Sequence, residues 1–218
     1  MAHIARLAES GAPAPSGVIG MGAALESPLA GFRWRFAERD AYSLELMDGD
    51  HDGYTTNDEV RANLSRTPAS VYGQLDPYLH PTGAWGAEAL ARLREGQSAI
   101  YEQIRQAALA MPDDAPYPNA QAATASYQWW KSWYTDDVEI AARLARWDVP
   151  MIFHYGSIDS QTAYFRERPA GERNLGNRAR FVLHDGLGHT LGTHATYGPI
   201  EENVADALAA EAAHLCRG

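Results

Sequence analysis

Val149-Pro150-Met151-Ile152-Phe153-His154-Tyr155-Gly156-Ser157-Ile158-Asp159 opens the last third of the chain, and its first half is a short apolar run. That run, residues 149–154, reads as a buried strand, and it enters the glycine-bearing turn at 155–159. A second stretch repeats the arrangement, because Ala179–His184 reads as a strand and runs into Asp185-Gly186-Leu187-Gly188-His189. Residues 161–167 between them suggest a helix, and Ile200, Val204, Leu208 and Leu215 mark an amphipathic helix behind them. Near the start, residues 2–8 form a short amphipathic helix and residues 11–16 a proline-punctuated turn. Val18-Ile19-Gly20-Met21-Gly22 then reads as a short buried strand. Strand and helix alternating in this way imply a parallel sheet with helices on its faces, so the fold class is α/β.

Residues 32–147 carry a mostly helical pattern. A proline- and glycine-rich connection covers 68–86, and a longer helix follows with Leu93, Ile100 and Ile104 in phase. Prolines between 112 and 118 break it. Trp129, Trp130, Trp133 and Tyr134 come next, as core or as the lining of a pocket, and Asp136 or Asp137 caps a further helix through Ala145. No internal repeat or low-complexity segment is evident.

Within this helical block stands Asp48-Gly49-Asp50-His51-Asp52-Gly53-Tyr54-Thr55-Thr56-Asn57-Asp58-Glu59. Carboxylates at places one, three and five, glycine at six and glutamate at twelve make the EF-hand calcium-loop pattern. Asp48, Asp50 and Asp52 would each give a side-chain oxygen, Tyr54 its backbone carbonyl, and Glu59 both carboxylate oxygens. Thr56 holds place nine, directly or through water. Leu44 and Met47 before the loop, and Val60 and Leu64 after it, share helical faces. No second loop of this kind occurs, so the usual two-stranded pairing between hands has no partner within the chain. The plainer alternative is a solvated acidic loop in which Asp58 and Glu59 begin a helix, where negative charge is favoured.

The chain has 218 residues, enough for one sizeable core. At 45% hydrophobic and 21% charged it falls in the ordinary globular class, and a net charge of -10 argues against nucleic acid as a partner. The single Cys216 cannot form an internal disulfide. No apolar stretch is long enough to span a bilayer, and the N-terminus shows no signal-peptide pattern, which leaves the compartment open.

An acid and then a histidine, each just beyond a parallel strand, resemble the C-terminal end of the α/β-hydrolase superfamily. The helix at 2–8 and the strand from Val18 look like the elements that follow that family's nucleophile elbow, and the helical block looks like its lid. The resemblance implies a partial α/β-hydrolase sheet of about three parallel strands with a large helical lid insertion. Residues 1–31 would begin the core, 32–147 would form the lid, and 148–218 would close the core. It further implies that His189 is the general base and Asp159 its orienting acid, acting on a small-molecule acyl substrate. The family's Gly-x-Ser-x-Gly turn does not occur: Ser10, Ser16 and Ser157 all lack that context. The expectation is therefore a hydrolase-type chain that is inactive by itself, with an uncovered sheet edge beside Val18 open to self-association. The alternative is a non-catalytic calcium-binding module. His154, His184 and His194 are expected to be sheet-end or loop histidines.

Overall fold

The computed structural model describes residues 2–63, 78–116, 126–194 and 198–217. Three parallel strands form the sheet: β1 (Val18–Met21), β4 (Met151–Gly156) and β5 (Ala179–His184), in the order β1-β4-β5. Gly20 lies level with Phe153, and Phe153 with Phe181, so the apolar β4 runs down the middle. Alternation along β4 sends Met151, Phe153 and Tyr155 to one face, where each is at most 1% exposed. Helices α1 (Ala2–Glu9), α7 (Ile140–Leu144) and α8 (Tyr164–Leu175) close that face, with Ala5, Ala8, Leu144, Ala170 and Leu175 in the core. His154 points the other way, toward α9 (Glu202–Leu215), of which only Val204 is buried.

Two helix starts differ from the expectation, for one reason. The backbone amides of Gln161 and Thr162 donate to the Asp159 carboxylate, so they belong to the turn, and α8 begins only at Tyr164. Asp136 and Asp137 likewise bind Arg143 and Ser27 instead of capping, and α7 starts after Glu139.

The middle of the chain begins with α2 (Pro28–Arg33), capped by the Ser27 hydroxyl with proline in the first turn. A π-helical turn (Trp34–Glu38) leads directly into α3 (Arg39–Glu45). The short strand β2 (Tyr54–Thr56) and helix α4 (Asn57–Ala62) follow. Next described are β3 (Ala84–Gly86), the 24-residue α5 (Ala87–Ala110) and α6 (Tyr127–Thr135). Leu64 lies outside the described residues, as does much of the 68–86 connection. The buried face of α5 is Leu90, Tyr101 and Ala108, while Ile100 is 57% exposed. Tyr101 prevails because its ring meets Phe36 and Tyr134 beside Phe32.

One expectation is overturned here. The strand within the acidic loop does have a partner: β2 pairs antiparallel with β3, with Thr55 opposite Trp85. Trp85 of β3 joins a buried cluster with Leu44, Met47, Val60 and Leu90, and the buried Thr55 hydroxyl of β2 donates to the Leu44 carbonyl at 2.8 Å. Spaced carboxylates do not mark β3, because Tyr78, His80 and Thr82 precede it where the acidic loop has aspartates.

No helix among the described residues is long and apolar enough to cross a membrane.

Candidate active site and metal loop

Asp159 sits just past the end of β4, and His189 on the loop past the end of β5. The Nδ1 atom of His189 is 3.0 Å from Oδ2 of Asp159, whose side chain is fully buried. The turn that holds the carboxylate is built from backbone geometry. Asp159 Oδ1 accepts from the amides of Gln161 at 2.8 Å and Thr162 at 3.1 Å. Asp159 Oδ2 also accepts from the Thr162 hydroxyl at 2.7 Å. A carboxylate accepts from the ring, so Nδ1 of His189 is placed as the donor, and a neutral ring in that tautomer keeps its lone pair on Nε2. That is the tautomer a general base requires, and an imidazolium formed by it would be stabilised by the buried negative charge.

Two glycines make the close approach possible. A Cβ on Gly22, at the end of β1, would lie 2.6 Å from His189 Nδ1, and its φ of +47 is one that side chains rarely adopt. A Cβ on Gly156 would lie 1.9 Å from the Leu187 carbonyl, so the two loops can touch only with glycine there. The indole Nε1 of Trp34 donates to the Ser160 carbonyl at 3.1 Å, which ties the helical middle segment to the acid turn.

Beside His189 lies a pocket of about 360 Å³. Phe32, Ile140, Ile19 and Met21 give it apolar walls, while Gln161, Thr162, Glu167 and Arg35 add polar groups. Of the tryptophan cluster, Trp133 lines this pocket. Trp130 packs against Phe32 in the neighbouring core, and Trp129 is 44% exposed. Ser27 also lines the pocket, but its hydroxyl donates to Asp137 at 3.1 Å and not to the imidazole.

Sequence reading passed over Glu167, which is 3% exposed and hidden among polar residues of α8. Its Oε2 accepts from the amides of Leu25 at 2.6 Å and Glu26 at 3.0 Å, fastening the segment after β1 to α8. Burial pushes its pKa up to about 7 despite those two bonds. An acid raised from about 4.5 favours the folded state in its protonated form. The stabilisation is complete below pH 4.5 and is lost as pH rises through about 7. His184 has the opposite sign: burial and the neighbouring His154 lower its pKa, so its contribution is lost as pH falls. Comparing wild type with Glu167→Gln therefore isolates the carboxyl. Urea denaturation between pH 5 and pH 8 is expected to show stability of the variant rising relative to wild type by on the order of 2–4 kcal/mol. Parallel profiles would mean that Glu167 is ionised throughout.

His154 and His184 are indeed sheet-end histidines, but they are linked. His154 Nδ1 is 2.9 Å from His184 Nε2, and His154 Nε2 is 2.8 Å from Glu211 on α9, which also binds Arg180. No spacing in the sequence announces Glu211, since it comes from a helix more than fifty residues away. His194 packs against Gly198 in the loop after the turn that carries His189.

In the acidic loop, one carboxylate oxygen from each of Asp48, Asp50 and Asp52 lies within 4.8 Å of the others, a cluster that could hold a metal ion. Gly53 has φ +88, and its amide donates to Asp48 Oδ2 at 3.0 Å. The other oxygen of Asp48 is buried with no hydrogen-bond partner. A buried carboxylate oxygen without a partner, on a residue clustered with two further aspartates, fits a cation. Thr56 caps α4 and Glu59 completes the capping box, its oxygens taking the Gly49 amide and the Thr56 amide and hydroxyl, each at 2.8 Å. Those bonds, first from the Thr56 and then the Gly49 amide, lower the Glu59 pKa and keep it ionised. Glu59 thus stands at the loop but outside the aspartate cluster. Tyr54, whose carbonyl place seven requires, donates its amide to Asp52 at 2.8 Å.

No protein-family model matches this chain, and a comparison with curated proteins finds no match.

Proposed function

We propose that the chain carries the acid and base of an α/β-hydrolase-type catalytic unit, with residues 32–147 as a helical lid stabilised by calcium. The observation that carries this reading is the Asp159–His189 hydrogen bond at the carboxyl ends of two adjacent parallel strands. His189 Nε2 takes the proton of a nucleophile and returns it to the leaving group, and Asp159 holds the ring and its positive charge. The apolar walls beside His189 accept the acyl part of a small-molecule ester or related acyl compound. The nucleophile comes from a serine elbow outside these residues, on a strand that pairs with the outer edge of β1. Uncovered, that edge promotes self-association, visible by analytical ultracentrifugation.

The test is hydrolysis of p-nitrophenyl acetate. The chain alone is expected to show background rates. Joined in frame to a strand–Gly-x-Ser-x-Gly–helix segment, it is expected to turn over, with a loss of about 10³-fold on His189→Ala. Turnover by the longer protein that survives His189→Ala would overturn the reading. The second reading, a calcium module without catalysis, is favoured by the engagement of Ser27 with Asp137. It requires the longer protein to fold and remain inert.

In the loop, Asp48, Asp50, Asp52 and Glu59 supply carboxylate oxygens to one calcium ion, with the Tyr54 carbonyl and Thr56 completing the shell. A seven-oxygen shell with a bidentate glutamate suits calcium over magnesium, which demands octahedral geometry at shorter distances.

A further inference from the structure

Shifting the acidic loop forward by 30 residues superimposes it on the segment before α5. Gly53, with φ +88, falls on Gly83, with φ +98. Strand Tyr54–Thr56 falls on Ala84–Gly86, and these two strands pair with each other about the matched residues Thr55 and Trp85. Helix α4 begins at Asn57 and α5 at Ala87, again 30 residues on. Val60 falls on Leu90, and both are buried in one cluster. Glycine, strand, helix start and core residue all keep one frame, which chance placement of a hairpin partner would not produce.

The ligand places do not survive the shift. Asp48, Asp50, Asp52 and Glu59 fall on Tyr78, His80, Thr82 and Ala89. Protein groups occupy the loop instead. The Asn57 amide donates to the Gly83 carbonyl at 2.8 Å, and its side chain bonds both the carbonyl and the amide of His80, at 2.9 and 2.7 Å. Trp85 Nε1 donates to the Tyr78 carbonyl at 2.8 Å, joining places eight and one of the loop directly.

We infer that residues 78–89 are a second, ion-free hand, paired with residues 48–59 about a local two-fold axis through the Thr55–Trp85 bridge. Its turn is held by Asn57 and the Trp85 indole where the first loop presents carboxylates. The unit therefore takes one ion and binds it without cooperativity. This rests on the calcium reading of residues 48–59, and the experiment separates the two.

Restoring the four ligands, as Tyr78→Asp, His80→Asp, Thr82→Asp and Ala89→Glu, should create a second site. Calorimetric calcium titration is expected to give one ion for wild type and two for the fourfold variant. With Glu59→Gln added, the strong site should be the new one. No ion in wild type but one in the fourfold variant would sink the calcium reading and keep the paired hand. One ion in wild type and still one in a folded fourfold variant would overturn the paired hand. If that variant does not fold, Thr82→Asp with Ala89→Glu changes only an exposed and a half-buried position. In the Glu59→Gln background, terbium emission sensitised by the neighbouring Trp85 should then appear, and its absence on folded protein would overturn the inference.

Discussion

Calcium added to the metal-free protein is expected to raise its melting temperature by about 5–10 °C at a hundredfold excess over Kd. Saturation of that order contributes about 2.7 kcal/mol, and a chain of this size shifts by about 2–4 °C for each kcal/mol. The gain has two sources. Three carboxylates crowded within 4.8 Å repel one another until a cation neutralises them, and the buried Asp48 oxygen acquires a partner. One opposing term is visible. Glu59 must release the Thr56 and Gly49 amides to chelate the ion, giving up a capping box of about 1 kcal/mol. Glu59→Gln separates these effects, because glutamine still serves a capping box. The variant should fold with wild-type stability in chelator and bind calcium at least about 100-fold more weakly. Equal stability with and without calcium in wild type would remove the metal from this loop.

The second large effect concerns Asp159. Asp159→Ala leaves the buried Thr162 amide and the Gln161 amide without their acceptor and frees the Thr162 hydroxyl. Losing an acceptor inside a closed turn should lower unfolding free energy by about 2–4 kcal/mol, measured in urea. Asp159→Asn is the sharper probe of the site. Its carbonyl can satisfy the two backbone amides, which turns its NH₂ toward Thr162 and His189. A donor there cannot accept from Nδ1–H, so the imidazole should switch to the Nε2–H tautomer. Long-range proton–nitrogen NMR on selectively labelled His189 is expected to report Nδ1–H in wild type and Nε2–H in the variant. An unchanged tautomer would mean that Asp159 does not set the ring, and the base-and-orienter reading would fall with it.

Much of this was legible from residue order because the relevant forces are local. A short β-branched and aromatic run followed by a glycine-bearing turn favours a strand, so strands are expected at 149–154 and 179–184, and they form at Met151–Gly156 and Ala179–His184. Ligand spacing in a twelve-residue loop is also local, and Asp48, Asp50 and Asp52 do converge. Helix limits were less legible where side chains had other partners. Asp136 and Asp137 have the chemistry of caps, but Arg143 and Ser27 lie within their reach.

The sequence by itself determined the three strands of the parallel sheet, the order of acid before histidine, and the acidic loop, since each is written in neighbouring residues. Only the tertiary structure decided that Asp159 and His189 meet at 3.0 Å, because that distance is set by the pairing of β4 with β5 and by two glycines from separate turns. It also decided that Glu167 is buried against amides some 140 residues away, and that Glu211 joins His154. The partner of the acidic loop shows the division most plainly. With its carboxylates gone, what marks residues 78–89 is a glycine at positive φ and a strand held by hydrogen bonds to Tyr54–Thr56. Those are properties of the backbone in space, and a pattern of side-chain ligands does not record them.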